Sequence, residues 1–416
     1  MTESRMPLSD AARHTFRNEL WRSLPSGVLD SMASTFGMLL AVRVFGLGQW
    51  EKSIFLGATS GGLLASLFAV PLLLRLRGRI SGIAAGVQVA GAGFMAMAAL
   101  MPRHPWVFVL GLSLGLFCFS MQIPLMTQIY RLNYPPESRG SLYAVAGATR
   151  GLSAVAFGLF GGWLLGRDLQ NYPLLLWCFA LAGLLSGWWT RGLPTTVWEP
   201  DAQENASLLS SLRWIGLDRD FRTLLISWMI MGIGNLVAAS LFVEFLANPT
   251  HGINLPEPEV AMLTGVMPVL ARSISSYPWG LIYDRVGLFK VRSILNLIFA
   301  LSILIFFHGT QRSTWAAGML LWGLATAGGN VTWGLWVTKL APRQAVAQYM
   351  SVHTFLTGLR GVLAPPLAFF LLDHFSFAQV ALGSAAAIVS ASAFITVRAR
   401  GSELESREHV TPGERL

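Results

Sequence analysis

Apolar runs of about twenty residues recur from one end of this chain to the other, and each is long enough to cross a bilayer as an α-helix. A backbone inside lipid must satisfy its own hydrogen bonds, so only helices or a closed barrel can span it. Unbroken apolar runs fit the helix and not the alternating barrel strand. Of 416 residues, 53% are hydrophobic and 12% charged, against about 25% charged in ordinary soluble domains. The expectation is an all-α polytopic membrane protein.

Hydropathy marks twelve spans, at 24–45, 54–74, 82–102, 105–128, 142–165, 172–190, 223–247, 259–283, 290–308, 313–338, 346–372 and 376–397. Most connections are short. The exception is the polar stretch 191–222, read as a central cytoplasmic loop between a six-helix bundle at 24–190 and another at 223–397. Residues 1–23 and 398–416 read as cytoplasmic segments. The first 23 residues are polar and amphipathic, with no apolar core before a small-residue cleavage site, which predicts an uncleaved start.

Lys and Arg in the flanks orient the chain. With both termini in the cytoplasm, and Lys290 and Arg292 at the start of span nine taken with its cytoplasmic flank, 22 of the 30 basic residues fall inside, four outside and four within spans. The net charge of +9 is therefore a topology signal of a plasma (inner) membrane protein, and no nucleic-acid partner is expected. Cys118 and Cys178 lie inside apolar runs, which leaves no expected disulfide, metal or cofactor site. No loop carries a phosphate-cradling glycine motif and no span pair clusters His with carboxylates, so an enzyme is not expected.

The two halves repeat. Phe16, Arg17, Leu20, Gly27 and Ala33 recur 205 residues later as Phe221, Arg222, Leu225, Gly232 and Ala238, and Asp30 falls on Asn235. Gly115 meets Gly323 and Gln122 meets Asn330 at an offset of 208, and Arg150-Gly151 meets Arg360-Gly361 at 210. Two parallel six-helix halves are a transporter architecture.

The stretch WGLIYDRVGLFKVRS (279–293) resembles the cytoplasmic loop signature G-x-x-x-D-R-x-G of the major facilitator superfamily. Gly280, Asp284, Arg285, Gly287, Lys290 and Arg292 fit it. In the equivalent loop at 70–82, Gly78 and Arg79 fit, but Arg75 stands where the acid belongs and Pro71 replaces the first glycine. YPPESRGSLY (134–143) is similar to the family's loop between spans four and five. The resemblance implies alternating-access transport. It also implies that spans one, four, seven and ten line a central cavity, while two, five, eight and eleven flank the cleft between halves.

Each charge buried in a span costs roughly 2.5–3.5 kcal/mol on the insertion scale and usually has a task. Asp30, Gln122, Arg150, Asn235, Arg272, Asn330 and Arg360 fall in one slab near mid-depth, roughly 8–10 Å thick at the helical rise. Under the implied fold, Asp30, Gln122, Asn235 and Asn330 give one polar residue per cavity helix, and Arg150 and Arg360 are repeat mates beside the cleft. Three guanidiniums against one carboxylate favour an anionic solute. Asp30, whose proton affinity changes with burial and with a nearby arginine, is the candidate for proton coupling. Asp284 and Arg285 are candidate cytoplasmic gate residues, and Arg43 with Glu244 a candidate outer gate.

Bland readings stand beside these. Arg150 and Arg360 can snorkel or tie helix ends, Arg272 can pair with Asp30 or with carbonyls, and Gln122 and Asn330 can serve as interhelical glue. Trp315 and Trp336, near the two ends of span ten, read as interface anchors. The reading is a monomeric secondary transporter of a small, anionic solute, proton-coupled by hypothesis and lodged in the lipid bilayer. The alternatives are efflux of amphipathic drugs or lipids, and a non-transporting receptor on the same fold.

Overall fold

The computed structural model describes residues 8–75, 78–195, 208–286, 288–342 and 345–399. Nearly all of these are helical. In chain order the helices are α1 (Asp10–Ser31), α2 (Gly37–Arg43), α3 (Gln49–Leu74), α4 (Ile80–Leu100), α5 (Pro105–Met121), α6 (Ile123–Asn133), α7 (Pro136–Arg167) and α8 (Tyr172–Arg191). There follow α9 (Leu208–Leu217), α10 (Arg219–Ala247), α11 (Glu257–Ala261), α12 (Met267–Arg285), α13 (Leu288–His308), α14 (Arg312–Leu340), α15 (Val346–His374) and α16 (Phe377–Ala399).

Among the described residues, nine helices are long and apolar enough to cross a membrane. The other three expected spans are helical as well. The first is α1 and α2 joined by a π-turn at Met32–Phe36. The eighth is α11 and α12 joined by a π-turn at Met262–Val266. The tenth is α14, 29 residues long.

The helix starts follow ordinary capping chemistry. Proline occupies the first turn of α5, α6, α7 and α8, where its missing N–H is not needed. The Asp218 side chain accepts from the N–H groups of Asp220 and Phe221 to open α10, as an N-cap should. Ser9 caps α1 by accepting from the Ala12 N–H at 3.2 Å. Helix one therefore begins at Asp10, well before the expected span start at 24. Its early buried positions are polar, including Thr15, Asn18, Glu19, Arg22 and Ser26, and a hydropathy window cannot see such a stripe. The expected central loop is also partly helical, because α9 packs on α15 and α10. The Tyr349 hydroxyl donates to Asp218 at 2.8 Å beside it.

The chain divides into two compact units. The first holds residues 1–201 and 255–265, the second 202–254 and 266–416. In the first, α1 packs on α7 and α8, α4 on α5 and α8, and α3 on α5. In the second, α10 packs on α15 and α16, α13 on α14 and α16, and α12 on α14. These are the same five pairings, so the internal repeat seen in sequence is a repeat of helix packing. It extends to single hydrogen bonds. Gln88 donates to Ser186 at 2.8 Å, and Asn296 donates to Ser392 at 2.7 Å.

Trp315 and Trp336 are not interface anchors. Both are buried. The Trp315 indole donates to the Gly309 carbonyl at 2.9 Å, and Trp336 stacks on Trp228 with ring centroids 5.5 Å apart. Spacings of seven and fourteen keep Trp315, Trp322 and Trp336 on one face of α14. That face turns into its bundle, where Trp322 meets Phe242 and Phe299 edge-on.

Candidate functional site

Within the first unit a cavity of about 610 Å³ opens between α1, the α5–α6 break and α7. The break places Gln122 as the C-cap of one helix and the N-cap of the next. Gln122 is buried and its side-chain oxygen has no hydrogen-bond partner. It lines the cavity with Glu19, Arg22, Tyr130, Arg131, Arg139 and Arg150, among others.

Arg150 is locked to Asp30. Its Nε donates to Oδ2 at 2.6 Å and its Nη2 to Oδ1 at 2.5 Å. The guanidinium also lies over the Phe119 ring, 5.4 Å from its centroid. About a third of each side chain of the pair is exposed. Close helix approach makes the pairing possible, because a Cβ added to Gly27 of α1 would collide with the Arg150 carbonyl of α7. Two of the seven slab residues, Asp30 and Arg150, are thus joined directly, and Gln122 shares a cavity with Arg150.

A second buried pair on the same wall was not expected. Arg22 donates to Glu19 through Nε at 2.7 Å and Nη2 at 2.6 Å, and Nη2 also donates to the Tyr130 hydroxyl at 3.0 Å. Both charged side chains are almost fully buried. The i,i+3 spacing is visible in sequence, but these residues lie in a stretch read as a cytoplasmic segment. Tyr134 lies buried nearby at the end of α6, where desolvation and the Glu19 charge raise its hydroxyl pKa above the ordinary phenol range. Four arginines line the cavity against Glu19 alone, with Asp30 bound to one of them.

The second unit treats its arginines differently. Arg360 is buried and donates through Nη1 to the Trp228 carbonyl at 2.5 Å. A Cβ at Gly232 would collide with this guanidinium. Gly27 and Gly232 are repeat mates, and so are Arg150 and Arg360, yet the carboxylate is missing because Asn235 stands where the first half has Asp30. Asn235 and Arg272 are half-buried on α10 and α12, and Asn330 is exposed on α14. Arg292, counted from sequence among the cytoplasmic charges, is buried in α13, its guanidinium 3.9 Å from the Trp228 ring centroid. His353 is buried against Trp228, Trp333 and Trp336.

The candidate gate residues fall as follows. Arg43, at the end of α2, donates to the Leu255 carbonyl at 2.5 Å and lies 3.7 Å from Glu257. Both partners belong to the first unit. Nearby, Thr35 and Thr264 from the two π-turns share a hydrogen bond at 3.1 Å, and π-turns often mark functional positions. Glu244 is buried, accepts from Asn248 at 2.6 Å and lies 3.4 Å from His251. Arg285 is exposed at the end of α12. The Asp284 side chain lies outside the described residues.

Comparison with known proteins agrees with this architecture. Residues 224–414 match the sequence model of the Major Facilitator Superfamily. No curated protein matches the chain. A structure of a variant of the nucleoside transporter NupG aligns with a TM-score of 0.74 at 16% identity, covering 92% of this chain and 99% of that one. The D-xylose-proton symporter aligns at 0.67 and 14% identity, over 91% and 96%. A POT family transporter in complex with 5-aminolevulinic acid aligns at 0.69 and 11% identity, over 94% and 96%. At these identities the structures speak for the fold. In the sequence of its second half and in its fold throughout, the chain is similar to the Major Facilitator Superfamily.

Proposed function

We propose that this chain is a secondary active transporter that moves a small organic anion by alternating access, with a proton coupled to the movement. The reading rests on one arrangement: the Asp30–Arg150 pair at a cavity whose arginines outnumber its carboxylates. A planar guanidinium fork suits a carboxylate or phosphate. Arg150 is occupied by Asp30 until something displaces it. Protonating Asp30 removes one negative charge and frees the fork for the solute. Binding of the anion and binding of a proton then favour each other, the reciprocity that coupled transport needs.

In this reading Arg150 and Gln122 hold the solute from the first half, and Asn235, Arg272, Asn330 and Arg360 supply the second half's share. The repeat-related spacing of Gln122 with Asn330, Arg150 with Arg360 and Asp30 with Asn235 supports the assignment, as does the naming of one structure of this fold as a proton symporter. Arg43 with Glu244 and Glu257 serves as the outer gate, and Asp284 with Arg285 as the cytoplasmic one. The protein works as a monomer in the plasma membrane with both termini in the cytoplasm.

The test is flux. Purified protein in sealed proteoliposomes, given a panel of metabolite anions, sugars and lipophilic cations under an imposed proton gradient, should accumulate an anion. Accumulation of only neutral or cationic solutes, or binding without any crossing, would overturn the proposal.

A further inference from the structure

Among its described residues, the second unit buries two guanidiniums without an acid to meet them. Arg292 and Arg360 are 3% and 8% exposed, and both meet Trp228, Arg292 over its ring and Arg360 at its carbonyl. Among the described residues no carboxylate pairs with either; the ion pairs lie elsewhere. The recorded hydrogen-bond partners of the two are the Trp228 carbonyl for Arg360 and the Met231 sulfur, at 3.2 Å, for Arg292. Thioether sulfur is a weak acceptor, and an uncompensated buried charge is strongly unfavourable.

The same spot holds a set of unpartnered nitrogens. Arg360 Nε, Trp228 Nε1, Trp336 Nε1 and His353 Nε2 are all buried and without hydrogen-bond partners. They are contiguous. His353 meets both indole rings edge-on at 5.0 Å, the two indoles stack at 5.5 Å, and Arg292 covers Trp228 at 3.9 Å. Buried polar groups are almost always satisfied, so four orphaned nitrogens beside two cations call for one acceptor that carries negative charge. The first half shows what the alternative looks like, since there the buried Arg22 and the part-exposed Arg150 each grip a carboxylate.

We infer that the second half binds a small monovalent inorganic anion, of halide size, between Arg292, Arg360, His353 and the indoles of Trp228 and Trp336. A single ion accepts from several N–H donors and offsets one of the two charges. A bulky organic acid suits the spot less well, because Gly232 and the stacked indoles already fill the space around Arg360. The site shares Arg360 with the proposed solute-binding set but none of the residues that line the first half's cavity, and its test does not depend on transport.

The test is thermal unfolding of the purified full-length protein while chloride replaces gluconate at constant ionic strength. The expected result is a saturable upward shift in melting temperature, retained in Arg150→Gln. In Arg292→Gln and in Trp228→Phe the apparent chloride affinity should fall by roughly tenfold, the loss of about one charge-assisted hydrogen bond. Equal melting in both salts overturns the inference. So does a chloride shift that survives both substitutions, which places the ion elsewhere. A chloride-independent protein that Asp284→Asn destabilises also overturns it, by assigning the counter-charge to that carboxylate. Should the variants fail to fold, bromide-soaked crystals of the unaltered protein decide: an anomalous peak beside Arg292 supports the site, and its absence there overturns it.

Discussion

Asp30 holds Arg150 with both carboxylate oxygens, at 2.6 and 2.5 Å, while its repeat mate Asn235 offers Arg360 no charge at all. The two halves share helix pairings, a glycine contact and an arginine, and differ in this one carboxylate. A proton can change the charge state of the first half's pair, whereas the second half has a fixed positive centre. Under the proposed coupling, the proton-binding group then lies in the first half alone.

Asp30→Asn should separate exchange from accumulation. Asparagine keeps the shape and one acceptor but cannot titrate, so the pair with Arg150 weakens permanently. Counterflow of labelled solute between the two sides should persist. Uphill accumulation driven by a proton gradient should be lost. Proteoliposome uptake with and without the gradient measures both, and undiminished accumulation would remove Asp30 from coupling.

Arg150→Lys should fare little better than Arg150→Ala. Lysine keeps the charge but not the planar two-pronged geometry, and at bidentate sites that exchange is not conservative. Loss of one charge-assisted hydrogen bond corresponds to roughly tenfold in affinity. Competition binding in detergent should show that weakening in both variants. Unchanged affinity in Arg150→Lys would mean the solute does not use the fork.

Much of this fold was legible in the sequence because lipid imposes a coarse rule. Runs of apolar residues announce spans, and Asp30, Arg150 and Gln122 stood out as polar intruders in them. What stayed hidden were polar residues at the margins. Glu19 and Arg22 lie in a stretch that hydropathy assigns to water, yet α1 starts at Asp10 and carries them into the first unit. Arg292 looked like one more positive-inside charge, although α13 begins at Leu288 and buries it four residues later. A hydropathy window averages over a turn or more of helix and cannot tell which side of the turn faces protein. The pairing of Asp30 with Arg150 needed three-dimensional helix contacts, since 120 residues separate them.

The Glu19–Arg22 pair should behave as a structural unit. Removing one partner from a buried ion pair leaves an uncompensated charge and typically costs about 3–5 kcal/mol. Glu19→Gln and Arg22→Met should each lower the melting temperature clearly. The double variant should lose less than the sum of the two, because neither charge is then stranded. Additive losses in a thermal-unfolding cycle would show that the two side chains act independently.

Gly27 and Gly232 occupy the same place in the repeat but should tolerate alanine unequally. At Gly27 the new methyl group would meet the Arg150 carbonyl, the Ala154 amide nitrogen and the Ser153 Cβ. Two of these are backbone atoms, so relief requires moving α1 away from α7, and that motion would pull Asp30 from Arg150. At Gly232 the nearest atoms are all of the Arg360 guanidinium, the far end of a flexible side chain. Overpacking that forces backbone shifts costs typically about 1–3 kcal/mol. Gly27→Ala should therefore reduce both melting temperature and transport, whereas Gly232→Ala should displace Arg360 and leave the bundle nearly as stable. Thermal unfolding of the two variants side by side checks the order, and a Gly232→Ala protein that melts below Gly27→Ala would reverse it.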